Sequence, residues 1–97
     1  MSTSTFQEYK EYKEYVWYIG RAVKFFRERA KMPQEQLAEA INVSVTYVSL
    51  IENAHRVPTI QTIFKISCAL HIYPMEIFKK AEFLKKKYNR KNICKSS

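Results

Sequence analysis

The residues able to do acid–base, nucleophilic or metal chemistry in this 97-residue chain are few, and their spacing does not suit such work. His55 and His71 share no ligand spacing with Cys68 or Cys94, so no zinc site is expected. Glu35, Glu39 and Glu52 form no carboxylate pair beside a nucleophile. Gly20 is the single glycine, which excludes a glycine-rich phosphate loop. An enzyme is therefore not expected, nor a metal, a cofactor or a small-molecule substrate. What the chain offers instead is positive charge, +8 in all. Residues 1–74 carry nine Lys/Arg against seven Asp/Glu, and residues 75–97 carry eight against two. Such a balance implies a polyanionic partner, either nucleic acid or an anionic membrane surface, and charge alone does not choose between them.

The elements that must position these charges read as helices. Hydrophobic content is 46%, enough for a modest core, and one Gly with three Pro leaves few turn residues for strands. No apolar run reaches the ~18 residues of a membrane span. The start, MSTSTFQEYK, lacks the basic-then-apolar pattern of a signal peptide. A cytoplasmic protein with reduced cysteines is the expectation.

Residues 5–18 repeat a short unit, Glu8-Tyr9-Lys10, Glu11-Tyr12-Lys13, Glu14-Tyr15-Val16. Tyr9, Tyr12, Val16, Ile19, Val23 and Phe26 follow heptad-like spacing into a first helix over about 18–31, whose buried face is Ile19, Val23, Phe26 and Ala30. Packing of this extension on its own domain is preferred to a dimer contact, because fewer than three heptads signal a coiled coil weakly. Pro33 resets the chain. Helix 2 spans about 34–41 with Leu37, Ala38 and Ile41 inward, and Asn42 suits a left-handed turn. Ser44 caps helix 3, about 45–53, which buries Val48 and Ile51. Thr59 caps helix 4, about 60–71, with Ile60, Ile63, Ile66, Ala69 and Leu70 as its core face. Tyr73-Pro74 opens a fifth helix. Its stripe of Ile77, Ala81, Leu84 and Tyr88 reaches about residue 88, with a frayed basic tail beyond.

Two short helices joined by a three- to four-residue turn make a helix-turn-helix layout. Several pieces together sharpen this: Ile19-Gly20 and Arg27; Gln34, Leu37-Ala38; Val43-Ser44, Tyr47-Val48-Ser49, Ile51-Glu52-Asn53; Arg56, Pro58; Ile63, Lys65-Ile66, Ala69-Leu70. Over about residues 18–79 the chain resembles the phage-repressor-like (Cro-type, XRE-family) helix-turn-helix domain. The resemblance implies an all-α, five-helix lambda-repressor-like fold. An N-terminal extension (1–17), partly helical, would precede a DNA-binding domain (18–80), and a basic helix end and tail (81–97) would follow. It implies a transcriptional regulator, most simply a homodimeric repressor that reads a palindromic operator in double-stranded DNA through helix 3.

The same resemblance suggests roles for single residues. Val45, Thr46 and Leu50 fall at base-reading positions, with Tyr47 and Ser49 touching base edges or backbone. Gln34 stands at the start of helix 2, where free amides and the helix dipole favour phosphate. Asn53, His55 and Arg56 follow helix 3 in a phosphate-contacting segment. Arg27 and Glu52 match a buried structural ion pair. Ile77, Phe78 and Leu84 are the expected dimerisation residues. Two departures stand out. The family often has Gly where Asn42 and Ala54 lie. A left-handed Ala54 would cost roughly 1–2 kcal/mol, so helix 3 is expected to end differently, with Asn53 in the turn. Leu50 replaces a commonly polar reader and favours a thymine methyl over a guanine edge, which points to important A·T pairs. The alternative from another class is a protein-interaction module such as an antitoxin, or a membrane-surface protein using the basic amphipathic segment 75–88.

Overall fold

The computed structural model describes the backbone of residues 2–96 and the side chains of residues 7–88. Among the described residues there are five helices: α1 (Ser2–Arg29), α2 (Gln34–Ile41), α3 (Val45–Glu52), α4 (Ile60–Leu70) and α5 (Pro74–Ser96). α1 and α5 pair extensively, α2 packs on α3 and α4, and α3 leans on α1. The sequence α1–α5 contacts run in opposite directions along the two helices, with Phe25 beside Lys80 and Tyr18 beside Tyr88. The pair is therefore antiparallel. Val23, Leu37, Ile51, Ile66 and Ile77 meet in one core.

Capping chemistry sets most boundaries. The Ser44 hydroxyl accepts from the Tyr47 amide at 3.1 Å, and the Thr59 hydroxyl from the Thr62 amide at 3.0 Å. At the start of α5 the Glu76 carboxylate accepts from the Tyr73 amide at 2.8 Å, ahead of Pro74 in the first helical position. The first four helices end alike. Lys31, Asn42, Ala54 and His71 each take a positive φ near 60°. After α3 the His55 amide bonds the Leu50 carbonyl (2.8 Å) and the Ala54 amide the Ile51 carbonyl (3.1 Å). This pattern satisfies carbonyls that the helix end would otherwise orphan.

Several expectations change here. Ala54, not Asn53, carries the left-handed turn, and Asn53 keeps φ −98°. The two capping hydrogen bonds outweigh the strain of a left-handed alanine. Ala54→Gly is accordingly expected to raise stability by about 1 kcal/mol, read as a higher urea midpoint at unchanged slope. Helix 1 is one continuous rod from Ser2, and it stops at Arg29 because Lys31 turns left-handed. Ala30 is exposed, since the chain leaves the core before its side chain can be covered. Ile60 is 78% exposed, because the first residue of α4 lies ahead of the packed stripe. α5 continues past residue 88 to Ser96. Cys68 is exposed on α4 and not in the core; Cys94 lies outside the described side chains. Val16 is buried and Tyr15 packs on the core, but Tyr9 and Tyr12 are exposed, so only the last turns of the extension pack on the domain.

The largest correction concerns the dimer residues. Ile77 has 0% exposure and forms part of the monomer core, so no second copy can reach it. Leu84 is half-buried against the same core, and Phe78 alone of the three is exposed. The physical reason is the long α1, which occupies the apolar side of α5 that a shorter first helix would have left open.

Candidate nucleic-acid interface

α3 has a rear face that is fixed and a front face that is open. Val48, Ile51 and Glu52 are buried at the rear. Thr46 and Asn53 are exposed, Ser49 and Leu50 half-buried, and all four project from the opposite side of the rod. Val45 is exposed at the leading end, while Tyr47 is half-buried at the core edge. The helical period accounts for this division, because residues three and four apart share a face.

The rear attachment runs through Glu52, which is 1% exposed. Its carboxylate accepts from Arg27 Nε at 2.6 Å and Arg27 Nη2 at 3.1 Å, and from Gln34 Nε2 at 2.9 Å. Arg27 Nη1 donates to the Met32 carbonyl at 2.9 Å. The hydrogen bond to Glu52 raises the Arg27 pKa above its ordinary value; burial opposes this and the Glu52 charge assists it. The pair expected from the resemblance is thus present as a fork, and Gln34 joins it. α1, α2 and α3 are tied at one point, which holds the helix-turn-helix at a fixed angle to α1.

Gln34 therefore offers only the remainder of its amide to an anion. Next to it, Pro33 caps α2 without a side-chain acceptor, so the leading amides of that helix stay open to a phosphate. Asn53 Nδ2 donates back to the Ser49 carbonyl at 2.9 Å, and its Oδ1 accepts from Arg21 Nη2 at 3.4 Å. His55 and Arg56 are exposed in the loop beyond. The fold thus brings the open face of α3, the N-terminus of α2 and the α3–α4 loop into one neighbourhood. It withholds Ile77 and Leu84 from that neighbourhood.

Two residues have packing roles that the sequence reading did not assign. Arg21 Nη2 donates to the Glu52 carbonyl at 2.7 Å, binding α1 to the end of α3. Gly20 sits where a Cβ would lie 2.6 Å from the Ile51 carbonyl oxygen and 2.8 Å from that of Glu52. The single glycine thus serves close helix approach and none of the turns. Its place beside Ile19 was the only available signal.

Residues 23–78 match the family described as helix-turn-helix. No curated protein matches the chain in sequence. Among solved structures, the clp gene regulator ClgR from Corynebacterium glutamicum is similar with a TM-score of 0.77 at 19% identity, covering 84% of this chain and 88% of that one. Another crystal structure of ClgR from C. glutamicum gives 0.68 at 24% identity, covering 70% and 87%. The restriction-modification controller protein C.AhdI from Aeromonas hydrophila gives 0.62 at 27% identity, covering 64% and 94%. The lambda-repressor-like fold is shared with them. With over half its length matched, the chain belongs to the phage-repressor-like (XRE) helix-turn-helix family of DNA-binding transcriptional regulators.

Proposed function

We propose that the protein is a dimeric repressor that reads a palindromic operator through α3. The observation that carries this reading is the front of α3, where Thr46, Ser49, Leu50 and Asn53 project away from a rear face locked by Val48, Ile51 and Glu52. Two copies would set their α3 helices in successive major grooves, ~34 Å apart. The α2 amides, Gln34, His55 and Arg56 would hold phosphates and fix the register. Val45, Thr46, Tyr47, Ser49 and Leu50 would face base edges, with Leu50 against thymine methyls. A repressor then acts by occluding the promoter from polymerase, in the cytoplasm.

The dimer contact is assigned to the outer side of α5, where Met75 and Phe78 are exposed one turn apart. Phe78→Glu is expected to leave the monomer folded and to weaken self-association at least tenfold by sedimentation equilibrium, since a charge would enter an apolar contact. Ile77 and Ala81 are fully buried, so the apolar side of segment 75–88 is used within the fold. This weighs against a helix lying on lipid, which needs that side free.

Selection from random duplexes with the purified protein tests the reading. The expected yield is paired half-sites with A·T pairs at their core; a G·C-dominated core would overturn the role of Leu50. Leu50→Ala should relax sequence preference with little loss of general affinity. Arg56→Ala should weaken binding to every sequence and reduce the salt slope by about one unit. If Leu50→Ala instead behaves as a phosphate variant does, the register of α3 on DNA is wrong.

A further inference from the structure

A cleft of about 320 Å³ opens between α1 and α5, lined by Trp17, Tyr18, Arg21, Leu84, Lys87 and Tyr88. This volume lies at the lower end of the roughly 300–1,000 Å³ found for small-molecule sites. Three of its walls are aromatic. The Tyr18 and Tyr88 rings stand 6.3 Å apart at 58°, and the Arg21 guanidinium lies over the Trp17 ring at 4.7 Å from its centroid. Two of its walls are cationic, and no acidic residue among the described ones lines it. Arg21 Nε is buried without a hydrogen-bond partner, the sole such side-chain atom among the described residues. Trp17 and Tyr88 are large rings left exposed here.

We propose that this cleft between α1 and α5 is an effector site for a small planar aromatic carboxylate. The ring enters between Trp17 and Tyr88, where flat apolar faces favour stacking. The carboxylate takes charge-assisted hydrogen bonds from the free Nη1 of Arg21 and from Lys87. Arg21 also makes the site a lever. Its Nη2 already holds the Glu52 carbonyl and the Asn53 side chain at the end of α3. A ligand that draws the guanidinium toward the cleft loosens or realigns those bonds, and so changes how α3 is presented. This last step rests on the DNA-binding reading above; the binding step does not.

Trp17 is the only tryptophan in the chain, so its fluorescence reports on the cleft directly. The test titrates the full chain, without DNA, with para-nitrobenzoate and with the neutral para-nitrobenzyl alcohol. Saturable quenching is expected, tighter for the acid by about tenfold, the worth of one good charge-assisted bond. Lys87→Gln, at the exposed rim, should weaken the acid at least threefold with unchanged melting temperature and leave the alcohol unaffected. Quenching that rises linearly, equal affinities for acid and alcohol, or an unchanged Lys87→Gln titration would each overturn the site. Quenching by duplex but not by the acid would assign the cleft to DNA and overturn it too. A second titration then measures duplex binding with and without saturating acid. A shift of threefold or more supports the lever; an unchanged duplex affinity overturns the regulatory half and leaves DNA binding itself standing.

Discussion

Arg27→Ala is expected to destabilise the domain by about 3–5 kcal/mol, because it strands the Glu52 carboxylate in the core. Arg27 is 8% exposed and supplies two of the three side-chain donors that face that carboxylate. Gln34 alone cannot replace the charge. In a chain of this size such a loss lowers the Tm by more than ~10 °C. The measurement is chemical denaturation of the single variant beside Arg27→Met/Glu52→Leu. Exchange of both charges for apolar groups of similar volume removes the desolvation cost along with the attraction, so the double variant should be more stable than Arg27→Ala. If the double variant is as unstable as the single one, the fork contributes through packing and not through paired charge. Because the Arg27 pKa is pushed further up from an already high value, the guanidinium stays charged through any working pH.

Gly20→Ala should be destabilising, against the ordinary sign for that exchange in a helix. In an exposed helix interior, alanine gains about 1 kcal/mol over glycine. Here the added Cβ would lie 2.6 Å and 2.8 Å from two carbonyl oxygens of α3, which are backbone atoms without a rotamer to change. α1 must then move away from α3, straining Arg21 to Glu52 and Arg27 to Glu52 together. The overpacking cost of about 1–3 kcal/mol, enlarged by those lost bonds, exceeds the propensity gain. Thermal unfolding reads the sign. A stabilised Gly20→Ala variant would mean that the two helices are not in the close contact described here. The same variant should also lose duplex affinity, since the angle of α3 depends on this contact.

How much of this was legible in the residues differs between elements. α2, α3 and α4 begin where local signals stand, with Pro33, Ser44 and Thr59 at their starts, and α2 ends at the turn that Asn42 marks. Local hydrogen bonds decide such boundaries, so local sequence reveals them. The fork of Arg27 and Glu52 could be named from the resemblance, but the third member, Gln34, could not. The EYK repeats suggested a helix of uncertain partner; the rod proved continuous with α1, and its first turns stay uncovered at Tyr9 and Tyr12. Ile77 illustrates the opposite failure. Periodicity marks it as apolar and inward, and cannot say whether inward means its own core or a second copy.

By itself the sequence determined five helices, the caps at Ser44 and Thr59, a basic excess concentrated after residue 74, and the front and rear of α3. These follow from short-range preference and helical period, which act within a few residues. Only the tertiary structure decided that α1 covers the apolar side of α5 and that Gly20 lets two backbones meet. Each of those outcomes depends on atoms far apart in the chain competing for the same space, and no local pattern records who wins.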